Sequence, residues 1–303
     1  MLKVAVVLCT FNGEKYIFDQ IDSILNQVFV YVDVYVFDDK SEDNTIELLN
    51  LYGNKDKLHV FVNNERSGSA ANNFLSSLRT VYDFQRSYDY YALADQDDIW
   101  TPCKLVQSIA EMKIKSLDLY ASDLSAFRNE EHFFISKSNR LTDFSFNFQS
   151  LSAGCTYVLS PRMVSKVPVV EKLRLGTYFS HDWFLFYLCQ VNSFDYFCDS
   201  ITNIRYRIHE SNVFGSMSLG GYKSSFVKFS YVLNNYFGST WRDFESLIGP
   251  DSNMKSVSYM LTLSNCEFLK FCFKNASKFS TSYLKSIMLV LILVLYKISR
   301  SNE

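Results

Sequence analysis

The chain has 303 residues, 48% of them hydrophobic, and a formal net charge of -2. This composition is typical of a globular protein and argues against disorder, and the length suffices for one large domain or one domain with an appendage. No basic field exists to hold a polyanion, so nucleic-acid binding is not supported. The seven cysteines have no CxxC or zinc-like spacing, and their odd number without a recognisable signal peptide predicts a cytoplasmic protein.

Buried strands and amphipathic helices alternate through the first part of the chain. Continuous apolar, β-branched runs predict strands buried on both faces, and they lie at 3–9, 32–37, 58–63 and 90–94. Segments with helical periodicity or helix-start residues follow them, and these lie at 14–27, 45–52, 71–84 and 105–112. The alternation predicts an α/β fold with a mainly parallel sheet flanked by helices.

The pattern is less regular after Pro102. We expect further strands at 118–122 and 151–159 and a helix at 181–189. Beyond these elements the sequence indicates helices with aromatic stripes. We therefore divide the chain into an α/β domain at 1–217 and a helical C-terminal region at 218–303.

The C-terminal region contains one apolar run, at 287–296. It is too short to span a bilayer, which needs about 20 apolar residues. Lys285 precedes the run, and Lys297 and Arg300 follow it. Two interpretations stay open, namely a helix packed on the protein and a helix at 283–300 that lies in a membrane interface.

Polar residues follow three of the predicted strands. They are Thr10-Phe11-Asn12, Asp38-Asp39 and the cluster Asp95-Gln96-Asp97-Asp98. Because ligands of parallel sheets bind outside the carboxyl ends of the strands, the three loops predict one shared site. The cluster has three carboxylates in four residues, which repel one another unless a cation binds, and oxygen ligands favour Mg²⁺ or Mn²⁺. The alternative is a solvated acidic turn that caps the next helix.

An ordered set of motifs over residues 2–215 resembles the family 2 inverting glycosyltransferases, which have the GT-A (Rossmann-like) fold. The later motifs are most similar to those of bacterial rhamnosyltransferases of surface polysaccharide assembly. The motifs are VAVVLCTFNGEKYIFDQIDSILNQ, VFDDKSEDNT, RSGSAANNF, ALADQDDIWTPCKL, SAGCTYVL, SHDWFL and YRIHESNVFG. The resemblance implies that 1–217 binds a nucleoside-diphosphate sugar and that Mn²⁺ or Mg²⁺ assists catalysis.

The resemblance also implies roles for the residues of the donor site. Asp39 would accept a hydrogen bond from the pyrimidine ring, Asp95 would hold the ribose, and Asp97 would bind the metal, with Asp98 orienting them. The nucleotide pocket would be lined or flanked by Thr10, Asn12, Glu14, Gly68 and Asn72. Without the resemblance, Asp38-Asp39 is equally a turn near a helix N-cap, and Gly68 and Asn72 belong to an ordinary loop.

Two motifs of the second half carry the remaining candidates. Asp182 matches the position of the catalytic base, because a single displacement needs a carboxylate to take the acceptor proton; the alternative is a helix N-cap. His209 matches a histidine that contacts the metal or the diphosphate, although a lone histidine is often structural. His181 either orients Asp182 or contacts substrate, and Arg205 or Arg207 pairs with the diphosphate.

Four further features lie outside these roles. Lys40 stands where many relatives have glycine, so the turn there is expected to differ. Gly154 lets the backbone approach the acceptor or marks a bulge. The segment 123–147 matches no motif, and we expect acceptor selection there. Asn212 belongs to the last motif but receives no role.

The sequence therefore predicts an inverting transferase that uses dTDP-L-rhamnose and extends a lipid-linked glycan of O-antigen, capsule or cell-wall polysaccharide at the cytoplasmic membrane face. One alternative keeps the chemistry with a UDP-hexose donor. Another is a non-catalytic nucleotide-sugar-binding protein. A nucleotidyltransferase is disfavoured, because its Gly-rich basic phosphate loop is reduced here to Gly13 and Lys15.

Overall fold

The computed structural model describes residues 1–52, 56–84, 86–169, 180–209, 239–248, 253 and 255–300. Its centre is a nine-stranded sheet in the order β3-β2-β1-β4-β8-β6-β9-β5, with β7 paired to β6. The strands are β1 (Leu2–Thr10), β2 (Val30–Asp38), β3 (Leu58–Val62), β4 (Tyr90–Ala94), β5 (Ile99–Trp100), β6 (Leu119–Arg128), β7 (Glu131–Ile135), β8 (Val158–Leu159) and β9 (Tyr196–Arg207).

Helices cover both faces of this sheet. Those before β9 are α1 (Ile17–Leu25), α2 (Thr45–Leu51), α3 (Ala70–Asp83), α4 (Lys104–Lys115), α5 (Pro161–Val164) and α6 (His181–Val191). Those after it are α7 (Ser239–Ile248), α8 (Val257–Thr262), α9 (Asn265–Asn275) and α10 (Tyr283–Arg300). None of the helices in these described ranges is long and apolar enough to cross a membrane.

The parallel half of the sheet confirms the predicted α/β architecture. Strands β1, β2, β3 and β4 are all parallel, and β9 runs parallel to β6. Side chains of β1 alternate between the hydrophobic cores on the two faces of the sheet. Val4 and Val6 pack with α1 on one face, whereas Ala5 and Val7 pack with α3 on the other. A strand buried on both faces has no polar positions, which is why the sequence shows a continuous apolar run.

Two predicted boundaries were wrong. The expected strand at 151–159 is mostly a turn, because the Thr156 backbone N–H and hydroxyl both donate to the Ala153 carbonyl, at 3.0 and 2.7 Å. Only Val158–Leu159 pairs with neighbouring strands. Helix α1 begins at Ile17 instead of Glu14, because the preceding residues form a turn on the Gly13 carbonyl. The apolar run at 151–159 therefore indicated burial rather than a strand.

The described C-terminal helices pack on the face of the sheet that carries α3 and α6. Aromatic contacts fasten them: the Trp183 ring meets Phe244 at 5.5 Å, and the Trp241 ring meets Tyr296 at 5.1 Å. The domain boundary placed between 217 and 218 lies outside the described residues, as does Asn212. The division into 1–217 and 218–303 therefore stays a prediction.

Candidate active site

The carboxyl ends of β1, β2, β4 and β9 meet at one edge of the sheet, and the side chain of Gln96 joins two of their loops. Thr10 Oγ1 and the Phe11 N–H both donate to Gln96 Oε1, at 2.6 and 2.8 Å. Gln96 Nε2 donates back to the Phe11 carbonyl at 3.1 Å. A Cβ on Gly13 would lie 2.7 Å from Thr10 Oγ1, so glycine is needed for this contact. Thr10 thus lies beside the acidic cluster.

The loop after β1 is also bonded to the loop after β2. Asn12 donates its N–H to Ser41 Oγ at 2.8 Å, and its Oδ1 accepts from the Glu42 N–H at 2.8 Å. Glu14 Oε2 accepts from the Asn44 N–H at 3.0 Å. Both residues were predicted to line the nucleotide pocket. In the structure their side-chain oxygens fix the shape of the neighbouring loop, and contact with a nucleotide stays a prediction.

The turn that ends β2 keeps its shape without glycine. Asp38 is fully buried and accepts from the Ser41 N–H at 2.8 Å, and burial raises the pKa of its carboxyl. Lys40 has φ +61°, the left-handed region that glycine favours. The turn at Asp39-Lys40 therefore adopts this left-handed conformation with a lysine in place.

The carboxylate of Asp39 is bonded to the loop before α3. Its Oδ1 accepts from the Ser67 N–H at 2.6 Å and from Asn63 Nδ2 at 2.9 Å. Gly68 has φ +83°, and Asn72 Nδ2 donates to the Ser67 carbonyl at 3.0 Å. Ser67 thus joins Asp39 to the loop of Gly68 and to Asn72. That Gly68 and Asn72 flank a nucleotide stays a prediction. The bond from Asp39 to a pyrimidine stays a prediction.

Asp97 and His209 meet at this edge although 112 positions separate them in the sequence. Asp97 Oδ2 lies 2.6 Å from His209 Nε2. Arg207 supports the pair, since its Nε donates to the Asp97 carbonyl at 2.9 Å and its backbone N–H to Asp98 Oδ1 at 3.1 Å. Arg205 is exposed and stacks on the Phe127 ring, so Arg207 is the arginine that faces the cluster. The two predicted metal ligands are adjacent.

A buried acidic group lies behind that pair. Asp95, Asp98 and Cys155 place their ligand atoms within 4.8 Å of one another. Burial, with the charges of Asp97 and Asp182, raises the pKa of Asp95 to about 7. Burial likewise raises the pKa of Asp98 well above its usual range, and Asp98 Oδ2 has no hydrogen-bond partner in the described part of the chain. Such a carboxylate is costly unless a proton or a cation neutralises it.

These donors fit a hard divalent cation on the outer side of the cluster. Burial raises the pKa of the Cys155 thiol, which therefore stays protonated, and Mg²⁺ and Mn²⁺ prefer oxygen ligands. The Asp97 carboxylate would bind the cation directly. His209 lies beside this carboxylate, and Asp95 lies on its inner side. A bound cation would favour the ionised form of Asp95 and would so lower its raised pKa.

Asp182 lies in the first turn of α6, at the same edge. The N-cap of this helix is Ser180, so the alternative role of Asp182 as the N-cap is wrong. Asp182 Oδ1 accepts from the Trp183 N–H at 2.8 Å, and burial raises its pKa to about 6. Its charge contributes to the raised pKa of Asp95, so the two carboxyl groups interact electrostatically.

His181 does not act on Asp182 through a hydrogen bond within the described residues. Its ring stacks on Phe74 at a centroid distance of 4.2 Å, and burial lowers its pKa to about 3. A Cβ on Gly154 would collide with His181 Nε2. Gly154 is therefore needed to admit the imidazole, and it lies in a 3-10 turn rather than a bulge. Approach of its backbone to the acceptor stays a prediction.

Two buried residues near the site were not predicted. Asn73 donates to the Phe37 carbonyl and accepts from Asn63 Nδ2, both at 3.1 Å, which fixes α3 to the end of β2. Lys104 is fully buried with its Nζ 3.6 Å from the Trp100 ring centroid, and burial lowers its pKa to about 7. The available signal was helical periodicity, which puts Lys104 on the buried face of α4.

Comparisons with known proteins agree with the fold. A family model described as glycosyl transferase family 2 matches residues 5–151. The dTDP-rhamnosyl transferase RfbG of Shigella flexneri is 26% identical over 251 residues, 81% of this chain and 86% of the relative. The putative teichuronic acid biosynthesis glycosyltransferase TuaG of Bacillus subtilis is 30% identical over 114 residues, 37% of this chain and 43% of the relative. The structure of S. aureus TarS 1-349 in complex with UDP-GlcNAc matches in fold, with a TM-score of 0.55, 17% identity, and coverage of 91% of this chain and 80% of TarS.

Proposed function

We propose that the chain, which matches the glycosyl transferase family 2 model over residues 5–151 and has a GT-A-like fold, moves a sugar from a nucleoside diphosphate to an acceptor hydroxyl with inversion. The observation that carries the proposal is the meeting of the Asp97–His209 pair with Asp182 at one sheet edge. A cation-binding pair beside a separate base matches what a displacement needs, whereas a protein that only binds nucleotide sugars needs no base.

The residues divide the work between donor and acceptor. Asp97, with His209 beside it and Asp95 behind, would hold Mn²⁺ or Mg²⁺, which supplies positive charge against the leaving diphosphate. Asp182 takes the proton from the acceptor hydroxyl. Its raised pKa of about 6 makes it a stronger base than an exposed aspartate while leaving it mainly ionised at neutral pH.

For the donor we take dTDP-L-rhamnose, with a UDP-hexose as the second candidate. The first is supported by the relative named as a dTDP-rhamnosyl transferase, whose similarity spans most of both chains. The second is supported by the fold neighbour whose structure holds UDP-GlcNAc, at lower identity. Both donors carry a pyrimidine nucleoside diphosphate, so the proposed roles of Asp39 and Asp97 are the same for either.

For the acceptor we take a lipid-linked glycan of O-antigen, capsule or cell-wall polysaccharide assembly, reached at the cytoplasmic face of the membrane. The relative named for teichuronic acid biosynthesis supports a surface polysaccharide. The exposed apolar side chains of α10, among them Leu284 at 78% and Leu291 at 51%, support contact with a membrane through 283–300.

The test is release of nucleotide from a panel of dTDP- and UDP-sugars, with Mn²⁺, Mg²⁺ or EDTA, followed by transfer to a lipid-linked acceptor. Metal-dependent release from one donor would identify the sugar. Asp182→Asn is expected to bind nucleotide but lose transfer, whereas Asp56→Asn, an exposed aspartate far from the edge, keeps both. Metal-dependent binding without transfer by the wild type, with any donor and acceptor, would leave only a nucleotide-sugar-binding protein.

A further inference from the structure

A second concave site lies at the amino end of β4, whereas the acidic cluster follows the carboxyl end of the same strand. It is a cleft of about 500 Å³, and sites for small ligands have volumes of roughly 300–1,000 Å³. The end of α3, the segment before β4 and the start of α5 enclose it, and its walls include Tyr82, Asp83, Arg86, Tyr88, Tyr91 and Pro161. Tyr91 precedes Asp95 by four residues of extended chain, or about 13 Å, so the cleft is separate from the proposed catalytic site.

Three tyrosine rings form the apolar part of the cleft. The centroid of the Tyr91 ring lies 6.1 Å from that of Tyr82 and 5.9 Å from that of Tyr88. The ring planes differ by 49° and 71°, so the rings enclose the cleft at different angles instead of forming a flat stack. Tyr82 is half-buried, whereas Tyr88 and Tyr91 are buried. Such rings offer a ligand an apolar surface with a hydroxyl group at its rim.

Buried hydrogen bonds hold the Tyr88 ring in place. Tyr88 donates its hydroxyl proton to Asp33 Oδ2 at 2.6 Å, and its oxygen lies 2.7 Å from the Tyr35 hydroxyl. Arg86 Nη1 in turn donates to the Tyr35 hydroxyl at 3.1 Å. Asp33 and Tyr35 are both buried, so this wall of the cleft is fixed before a ligand binds, which lowers the entropic cost of binding.

Charges of both signs lie at the cleft. The Arg86 guanidinium is exposed, and the Asp83 side chain is 50% exposed with its Oδ2 accepting from Arg79 Nε at 2.8 Å. An ion of either sign would be repelled by Arg86 or by Asp83. A hydroxyl group, in contrast, accepts from a guanidinium and donates to a carboxylate. The cleft therefore fits an uncharged molecule that carries several hydroxyl groups.

Helix α3 connects the cleft to the proposed base. Near the start of the helix, the Phe74 ring stacks on His181 at 4.2 Å, and His181 directly precedes Asp182. Tyr82 lies eight residues further along α3, about 12 Å away at about 1.5 Å per residue. Phe74 and Tyr91 belong to the same hydrophobic core, on the face of the sheet that carries α3 and α6. The cleft and the base are therefore on the same side of the sheet.

We propose that the cleft at Tyr82, Tyr88 and Tyr91 binds a sugar residue of the glycan acceptor, away from the sugar that receives the transfer. The tyrosine rings contact the C–H faces of the pyranose, and Arg86 and Asp83 hydrogen-bond to its hydroxyl groups. The inference rests on the proposed function, because it takes the acceptor to be a glycan. Long acceptors bind more tightly than short ones, since the second contact is intramolecular once the end of the glycan is bound.

The test measures affinities for the methyl glycosides of L-rhamnose, D-glucose and N-acetyl-D-glucosamine by saturation-transfer NMR, in EDTA and without nucleotide. At least one glycoside is expected to bind the wild type. Tyr82→Ala and Asp83→Asn should each weaken this binding about tenfold, through loss of a ring contact and of a charge-assisted hydrogen bond. Tyr259→Ala on α8 and Asp56→Asn make the same changes at residues that do not line the cleft, and should leave binding unchanged. Unfolding midpoints of all variants exclude misfolding.

The outcomes separate this inference from the proposed function. Absence of binding with all three glycosides, or equal affinities in Tyr82→Ala and Tyr259→Ala, would overturn the inference. Binding of dTDP or UDP with Mn²⁺ by the wild type tests the proposed function, because the nucleotide site is at the other end of β4. If nucleotide binds but no glycoside does, only the second saccharide site is refuted. If a glycoside binds but no nucleotide does, the proposed function fails and the cleft remains a saccharide site.

Discussion

At the scale of the residue, the clearest case is Asp182, whose pKa is set by burial. Its pKa of about 6 predicts that transfer at saturating Mn²⁺ falls as the pH drops through about 6, because only the ionised carboxylate accepts a proton. Saturating metal also keeps Asp95, with its raised pKa of about 7, ionised. The measurement is kcat from about pH 5 to pH 8, and a rate that does not change over this range would show that Asp182 is not the base.

Gly154 supports a second prediction at this scale. Gly154→Ala would push a Cβ into His181 Nε2, and overpacking of this kind typically costs about 1–3 kcal/mol. His181→Ala removes the obstacle, so the double variant should lose less stability than the sum of the two single variants. Urea unfolding of the three proteins gives the comparison. Additive losses would mean that the glycine is needed for another reason.

At the scale of the element, α10 has two different faces. Ile292 and Leu293 are fully buried in the core, whereas Leu291 and Leu295 are about half exposed. The sequence showed a single apolar run and left packing and membrane contact open, because the two faces carry the same residue types. The structure shows that one face of α10 packs in the core and that the other face is exposed.

The exposed face of α10 predicts membrane binding. Leu291→Gln and Leu295→Gln should each weaken association with anionic vesicles about tenfold, given roughly 1.5–3 kcal/mol for a buried leucine side chain. Ile114→Gln, at a 77% exposed position of α4, is the matched control. Deleting α10 would be a poorer test, because it also removes core residues. Vesicle binding that is equal in all three variants would refute the contact.

The strands and helices of the parallel half of the sheet could be predicted, because the hydrophobic pattern of each sequence segment follows from how that element is buried. A strand covered on both faces, such as β1, must be apolar throughout. The turn at Gly154–Thr156 was missed because it is equally buried, so its residues resemble those of a strand. A local hydrophobic pattern therefore shows which residues are buried. It predicts a strand or a helix correctly only where the buried positions follow the period of that element.

At the scale of the whole molecule, the site depends on contacts that no local pattern contains. The three loops after β1, β2 and β4 could be placed together, because parallel strands end at one edge. The approach of His209 to Asp97 depends on the pairing of β9 with β6 and could be inferred only from motif resemblance. Lys104 and Asn73 were missed although helical periodicity places them on the buried faces of α4 and α3, because lysine and asparagine are rarely buried.

Lys104 connects the site to the pH dependence of global stability. Its pKa falls from 10.5 to about 7 on folding, so between these values the unfolded chain binds a proton that the folded chain lacks. The free energy of unfolding therefore rises with pH, by up to about 1.4 kcal/mol per unit. Lys104→Met should be more stable than the wild type at pH 7, by a margin that shrinks towards pH 9. A constant difference in urea unfolding would contradict this.

The central claim is that Asp97 holds the cation that binds the donor diphosphate. The most direct measurement is calorimetric binding of dTDP and UDP to the wild type, Asp97→Asn and the control Asp56→Asn, each with Mn²⁺ and with EDTA. We predict that the wild type and the control bind one nucleotide only with Mn²⁺, and that Asp97→Asn binds it weakly and equally in both conditions. Affinity that is the same in EDTA, or unchanged in Asp97→Asn, would contradict the claim.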